Sequence, residues 1–341
     1  MALTAAQLDE VQAVAHNAFD KIMPDQFLTS SAFGSMMSKK PNLEYVSGGS
    51  KIQQPVQIAE NAADGFIDGK FDVLDLSASQ QLSFAEFDFK YQNYNVSITL
   101  DDITRTGDTA NAIKSLLVEK VNLAAGTAKR TYAQALHGNG SDSNGKAING
   151  LGDVTAASGT AYGGITNTDL ADSTTWLTEI DSTTNTINFA NLNTLVGTLI
   201  ARGQGAGDAV GSYAPDVMIS NSFVQDKFLA SQQSQQRFAR EDDLKAGFSG
   251  CKFRNIDWYV DDFSPGSADG STADNFLYVL SSPTFALKYK YGFEGKKAPV
   301  DFNGRIPNQA IITSQHFMAY NLVCRARRYN GVFKTLQSLY F

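Results

Sequence analysis

The stretch from Phe66 to Leu100 sets the tightest condition on how this chain can fold. Its core reads Phe84-Ala-Glu-Phe-Asp-Phe-Lys-Tyr-Gln-Asn-Tyr-Asn-Val-Ser-Ile-Thr-Leu. Phe87, Phe89 and Tyr91 alternate with Glu86, Asp88 and Lys90, and then Tyr94, Val96, Ile98 and Leu100 alternate again. A period of two turns one face of a strand to an apolar surface and the other to water. The phase slips at Gln92-Asn93, as a β-bulge makes it slip. Phe71-Asp-Val-Leu-Asp-Leu is the candidate opposing strand, with Ser77-Ala-Ser-Gln-Gln as the connection. A two-stranded ribbon is only marginally stable in water, so this one requires a surface to lie on. Charge singles out the same region. Nine acids lie between Glu60 and Asp102 against only Lys70 and Lys90, so the segment carries −7, the net charge of the whole chain. An acidic, aromatic hairpin is suited to gripping something basic, either a ligand or another copy of this chain.

The 341 residues exceed the usual size of one core, so two subdomains are expected. Charged residues at 18% and aromatics at 11% describe an ordered globular chain. The acidic balance argues against a protein dedicated to coating nucleic acid. No apolar run reaches transmembrane length, and residues 1–22 mix Asp, Glu, His and Lys throughout, so neither a membrane span nor a signal peptide is expected. Cys251 and Cys324 lack metal or redox spacing, and a reducing cytoplasm is the expected setting for folding.

Thr4 can cap an amphipathic helix in which Leu8, Val11, Ala15, Ala18, Phe19 and Ile22 share one face, ended by Pro24. A weakly patterned arm follows, then an extended region from Gly48-Gly49 with a short strand at Pro55-Val56-Gln57-Ile58. The strongest helical pattern spans residues 108–137, where Ile113, Leu116, Leu117, Val121, Ala124, Ala128, Tyr132 and Leu136 recur at helical spacing. Such a helix would be about 45 Å long, enough to serve as a backbone for the fold. Residues 138–175 are rich in turn formers, with Asn-Gly pairs at 139–140, 144–145 and 149–150. Beyond them the patterns predict helices near 189–202 and 221–231. Strands are predicted at Val217-Met-Ile, around 256–260 and 276–281, from Phe285, and from Ala310 to Cys324. Strands and helices interleave without a strand–helix–strand rhythm, which makes the fold class α+β.

No constellation for catalysis or cofactor binding emerges. His16, His137 and His316 are far apart and lack ligand-like companions. Gly203-Gln-Gly-Ala-Gly follows a helix end and no Gly-Lys-Ser/Thr comes after it, so it reads as a connection and not as a phosphate cradle. Asp142-Ser-Asn-Gly lacks the distal glutamate of a calcium loop. The adjacent acids Asp101-Asp102, Asp242-Asp243 and Asp261-Asp262 read as solvated surface. Arg325, Arg327, Arg328 and Lys334 form a basic cluster that could touch phosphates, meet the acidic hairpin of a neighbour, or be solvated. No catalytic residue, metal ligand or cofactor is assigned.

The order of these features resembles the major capsid protein of tailed phages, the Hong Kong 97-type fold that encapsulin shells also use. The resemblance rests on Gly48-Gly-Ser-Lys-Ile-Gln-Gln-Pro-Val, the alternating hairpin, Val96-Ser-Ile-Thr-Leu-Asp-Asp-Ile and the long helix. It continues through Gly150-Leu-Gly, Tyr162-Gly-Gly-Ile and Trp176, then Pro215-Asp-Val-Met-Ile-Ser, Gly247-Phe and Asn275-Phe-Leu-Tyr-Val-Leu, and ends in Asn321-Leu-Val-Cys-Arg-Ala-Arg-Arg-Tyr-Asn-Gly-Val. Asn167 stands where many relatives carry a basic residue, and no Asn or acid partner for a Lys70 cross-link is identifiable.

The resemblance implies an N-terminal arm (1–47), an extended β-hairpin loop (48–100), a peripheral domain with a spine helix (101–145 and 282–325) and a mixed α/β axial domain (146–281 and 326–341). It implies a virion protein, assembled in the host cytoplasm, whose partners are copies of itself in pentamers and hexamers. A separate scaffolding protein, a portal, decoration proteins and packaged double-stranded DNA would complete the set, with no membrane. The expected contacts between subunits involve Lys70, Phe71, Phe87, Phe89 and Tyr91 of the hairpin with Lys288, Lys290, Arg325, Arg327 and Arg328. Replacing Phe87, Phe89 and Tyr91 by Ser is then expected to leave a soluble monomer and stop shell formation. An encapsulin-like compartment, another virion structural protein, and a carbohydrate-binding or glycan-cleaving protein are the alternative readings.

Overall fold

Fourteen residues near the C-terminus, Ile311–Cys324, form the strand to which most of the chain is tied. In the computed structural model of the protein, the residues described are 31–39, 41–60, 66, 69, 80–99, 101, 110–170, 172–184, 186–203, 213–233, 251–266, 275–297, 304–305 and 311–336. In chain order the strands are β1 (Leu43–Val46), β2 (Lys51–Gln57), β3 (Leu82–Asp88), β4 (Lys90–Thr99), β5 (Glu179–Asp181), β6 (Val217–Ser220), β7 (Cys251–Phe253), β8 (Ile256–Val260), β9 (Asn275–Leu280), β10 (Phe285–Lys297), β11 (Gly304–Arg305), β12 (Ile311–Cys324) and β13 (Gly331–Leu336). The principal helices are α1 (Ala32–Met37), α2 (Ala110–His137), α3 (Phe189–Gly203) and α4 (Ser222–Gln233). The architecture is α+β, as the patterns predict.

Strand β12 pairs antiparallel with β10 and with β4, the latter from Ile311↔Thr99 to Tyr320↔Lys90 without a break. Strand β1 extends this sheet parallel to β10, and β11 adds a short rung to β12. Directly opposed residues point to one face, so Tyr45, Tyr289 and Tyr320 form a row across three strands. Tyr289 and Tyr320 stack at 5.2 Å, and Tyr132 of α2 meets Tyr320 edge-on at 5.7 Å. Tyr132 of the long helix therefore lies against this face.

A second, six-stranded sheet runs β5-β13-β9-β6-β8-β7. Its central strands read Val-Met-Ile-Ser and Asn-Phe-Leu-Tyr-Val-Leu, without alternation, because both faces are buried. Val217, Ile219, Tyr278 and Leu280 join a core shared with the first sheet. Met218, Leu277, Val279 and Phe333 join another with Leu192, Val196 and Leu199 of α3 and Val224 and Phe228 of α4.

Two expectations change. The partner of β3 is β2, registered from Lys51↔Asp88 to Gln57↔Leu82. Residues 71–76, the expected partner, and the helix expected over 4–22 lie outside the described residues. The phase slip falls at Phe89–Lys90 and not at Gln92-Asn93. There the chain leaves β2 for β12, so buried Phe87 and Phe89 give way to inward Tyr94 and Val96.

The turn-rich segment after α2 is held by buried polar groups. Arg327, fully enclosed, donates from Nε to Val154 O at 2.7 Å, from Nη1 to Trp176 O at 3.1 Å and from Nη2 to Ala156 O at 3.0 Å. Its guanidinium lies 5.0 Å from the centre of the Tyr162 ring. Cys324 N donates to Tyr162 Oη at 2.9 Å, and Trp176 Nε1 donates to Tyr162 O at 3.1 Å. Asn167, where a basic residue was anticipated from relatives, is buried, accepting from Gly159 N and donating to Ser158 Oγ and Ser173 O. Arg327→Met would strand three buried carbonyls, and a loss of about 3 kcal/mol in unfolding free energy is expected by urea denaturation.

Candidate assembly surface

The β2–β3 ribbon is pinned at its root from three sides. Asn321 Nδ2 donates to Asp88 O at 2.9 Å and to Asn149 Oδ1 at 2.8 Å, while its Oδ1 accepts from Asn149 N at 2.9 Å. Glu86 N donates to Gly163 O at 2.9 Å, and the Phe87 ring meets Tyr162 at 4.9 Å. Gly163 has φ +60°, and a Cβ there would come within 2.7 Å of Phe87, so the Tyr162-Gly-Gly-Ile turn needs glycine to approach the ribbon. Ile52, Val56, Ala85 and Phe87 on the inner face belong to the main core.

The outer face has two zones. Near the root, Lys51 opposes Asp88 and Gln53 opposes Glu86; Lys51 Nζ lies 3.0 Å from Glu86 Oε2. The hydrogen bond from Lys51, with that from Gln53, pulls the Glu86 carboxyl below its ordinary value. The pair is exposed to water and contributes little stability. At the far end, Pro55 opposes Phe84 and Gln57 opposes Leu82. Phe84 is 61% exposed and Leu82 65%.

Several residues expected at an interface make contacts within their own subunit. Phe87 and Phe89 are 4% and 6% exposed inside their own subunit, because the ribbon's inner face lies on the body. Lys290 sits over the Phe89 ring at 5.5 Å. Replacing both phenylalanines by Ser would open the core, so that substitution reports folding before it reports assembly. Tyr91, beyond the phase slip, is 58% exposed. Lys70 and Phe71 lie outside the described residues.

The basic residues likewise separate. Lys288 is buried, donating to Gln54 Oε1 at 2.8 Å and facing Glu44 at 3.4 Å. Burial pushes its amine down against the pull of Glu44. Arg325 pairs with the same Glu44. Arg327 is interior, as described above, and Arg328 is half-buried. The expected basic cluster of Arg325, Arg327, Arg328 and Lys334 is thus one ion-paired arginine, one interior staple, one half-buried arginine and a lysine that donates to Thr155 O. Leu82 and Phe84 are an exposed apolar pair that sequence reasoning did not single out. Their signal is parity, since they share a face with neither Phe87 nor Ile52.

One buried group of titratable residues also escaped sequence reasoning. Ser31 Oγ donates to Asp261 Oδ2 at 2.7 Å, Phe33 N donates to it at 3.1 Å, and His137 Nε2 lies 3.3 Å away. Asp261 is therefore not the solvated acid the Asp261-Asp262 pair suggested. Serine, histidine and aspartate meet, yet the hydroxyl donates to the carboxylate and not to the imidazole, so the order of a serine–histidine–aspartate relay is not present. The carboxylate instead seats α1, too short to be stable alone, against α2 and the second sheet. Among the described residues, no three metal-ligating side chains come together, and no helix is long and apolar enough to cross a membrane.

A groove of about 600 Å³ runs between β4 and α2. Tyr91, Asn93 and Asn95 line one wall and Thr127, Ala128 and Thr131 the other.

No protein-family model matches the chain, and no curated protein matches it either. Solved structures do. The cyanophage A-1(L) capsid subunit superimposes with a TM-score of 0.63 at 14% identity, over 93% of this chain and 96% of that one. The SrpI encapsulin of Synechococcus elongatus gives 0.58 at 11% identity, over 100% and 99%. The capsid of a native GTA particle gives 0.58 at 13%, over 98% and 100%. The chain has the Hong Kong 97-type fold, with the long helix and ribbon that the resemblance implied.

Burial alone would push the Asp261 carboxyl up; His137, Ser31 Oγ and the Phe33 amide outweigh it and hold it down to about 2. A carboxyl lowered by folding stabilises the fold above its ordinary value near 4 and loses that contribution as pH falls. Wild-type unfolding free energy should drop on the order of 2 kcal/mol between about pH 4 and pH 2 on this group's account. Asp261→Asn should be destabilised at neutral pH and lack that part of the acid loss, read by urea titrations across the range.

Proposed function

We propose that this chain is a major capsid protein that assembles through its ribbon into pentamers and hexamers of an icosahedral phage head enclosing double-stranded DNA. One observation carries the reading. A pinned ribbon carries exposed Leu82 and Phe84 on its outer face, on a fold that shell-forming chains share over nearly their whole length. Apolar side chains held at the end of a ribbon are stabilised by burial against a neighbour, about 25 cal/mol per Å² of apolar surface. Inside a shell each such contact recurs at every equivalent position, so a modest contact suffices for assembly.

Acidic charge concentrated around the ribbon would guide register between copies more than it adds affinity. The work of the protein is assembly and not turnover. Residues 1–47 would form the arm, 48–100 the extended loop, and the two sheets the peripheral and axial domains. Scaffolding, portal and decoration proteins would be its other partners, and DNA would be enclosed without sequence recognition. The virion is its final location. An encapsulin-like compartment with a protein cargo is the second reading, favoured by the full-length match to SrpI.

Negative-stain microscopy of the purified chain, expressed with and without neighbouring viral genes, tests the proposal. Closed uniform shells are expected, and nucleic acid or protein inside them separates a head from a compartment. Leu82→Ser with Phe84→Ser should keep the thermal unfolding midpoint and abolish shells; normal particles from that double variant would count against the ribbon as the interlock. Assembly followed by light scattering should change rate between low and physiological salt, because exposed charges are screened over about 10 Å.

A further inference from the structure

We infer, independently of the coat-protein reading, that Asn144 is a site of spontaneous covalent modification. The Asn144-Gly145 pair cyclises, and the side-chain amide becomes a carboxylate at the edge of the groove between β4 and α2.

Asn followed by Gly is the pair in which this chemistry is sterically easiest, because glycine puts no Cβ beside the attacking main-chain nitrogen. The chain contains five such pairs, at Asn139, Asn144, Asn149, Asn303 and Asn330. Asn303 lies outside the described residues. Residue type reads them all alike as turns, and the fold separates them.

Two are locked. Asn330 is fully buried, with Oδ1 accepting from Ser281 N at 2.9 Å and Nδ2 donating to Ala326 O at 3.1 Å. Asn149 Nδ2 donates to Asp153 Oδ2 at 2.8 Å, and its Oδ1 accepts from Asn321 Nδ2 at 2.8 Å. Gly150 is buried, and a Cβ on it would stand 2.5 Å from main-chain carbonyl oxygens, so a ring has no room there. Asn139 is exposed, yet its Oδ1 accepts from both Ser141 N and Ser141 Oγ, which fixes the side chain.

Asn144 has none of these restraints. It is exposed, and its side-chain amide makes no hydrogen bond among the described residues. Nothing lies within 4 Å of the place a Cβ would take on Gly145, so a succinimide ring can close. The backbone is strained as well. Ser143, Asn144 and Gly145 have φ of 54°, 59° and 76°, a left-handed turn that costs energy at each residue bearing a Cβ. Gly145 N donates to Ser141 O at 3.0 Å, but this bond closes one exposed turn and opens at little cost.

The reaction needs only water. Hydroxide removes the proton from Gly145 N, and that nitrogen forms a bond to Asn144 Cγ. The tetrahedral carbon breaks its bond to Nδ2, which takes a proton from water and leaves as ammonia. Water then opens the succinimide at either carbonyl and gives aspartate or isoaspartate, both ionised at neutral pH. One water is consumed in sum and one ammonia released. Lys90 and Lys146 line the adjoining groove, and Lys90 Nζ donates to Gly145 O at 2.7 Å. The new carboxylate lowers the positive charge at this edge. Isoaspartate also routes the main chain through the side chain, which displaces Gly145 O from Lys90.

Peptide mass mapping tests the site. The folded chain is incubated at mildly alkaline pH beside the same chain unfolded in guanidinium chloride, where every Asn-Gly pair is free to react. A gain of one mass unit, located at Asn144 by fragmentation, is expected in the folded chain, at a rate that rises with hydroxide concentration. Asn149 and Asn330 should react about tenfold more slowly or less, because their hydrogen bonds must open first. Asn144→Gly keeps the left-handed turn, since glycine takes positive φ freely, and should remove most of the early mass gain. Undiminished early gain in that variant overturns the inference. So does a folded chain in which Asn149 or Asn330 keeps pace with Asn144, or one in which Asn144 reacts only after unfolding.

Discussion

The unbroken ladder between β4 and β12 is the interaction on which the other elements depend. A ribbon of two strands is marginal by itself, and β3 runs directly into β4, so the ladder fixes where the ribbon begins. Strand β12 also carries β10, and through it β1. Just past the ladder, Asn321 binds both Asp88 O of the ribbon and Asn149 of the turn that follows α2. Ribbon, first sheet and the turn that follows the long helix thus take their positions from one strand. A shift of one residue there would exchange the buried and exposed faces of β4 and release the ribbon's root.

Charged groups do unusual structural work in this fold. Arg327 is enclosed and satisfied by three carbonyls, and Asp261 is enclosed and satisfied by Ser31, Phe33 and His137. Burying a charge is costly, and it is tolerated here because every new partner is geometrically fixed. Each ties segments that are far apart in the chain, Arg327 the turn-rich region to the C-terminal strand and Asp261 the root of the arm to the second sheet. Apolar contacts could supply the stability, but they would not specify a single docking direction as a fork of donors does.

The ribbon divides its labour by face. The inner face is core, the outer root is polar, and the outer end is apolar. That division lets one element be a folded part of its own subunit and, in the proposed shell, a contact for the next. In the proposed shell, removing the contact need not unfold the monomer, because Leu82 and Phe84 stand apart from Phe87 and Ile52.

Periodicity alone determined a good deal of this protein. The helices at 110–137, 189–203 and 222–233 and the strands at 217–220, 256–260, 275–280, 285–297 and 311–324 follow spacing and turn residues that local physics reads without tertiary help. The α+β class and the need of the ribbon for support follow from the same patterns. Which face of the ribbon points inward was decided only by the tertiary structure, since alternation defines two faces without saying which one the body covers. The pairing of β3 with β2, the interior places of Phe87, Phe89 and Arg327, and the burial of Asp261 depend on partners as many as 230 residues away. Long-range contacts of this kind leave no periodic trace in the chain. Sequence therefore marked the ribbon as an element that needs a surface, and only the fold decided that its exposed apolar pair is Leu82 and Phe84, on the face opposite Phe87.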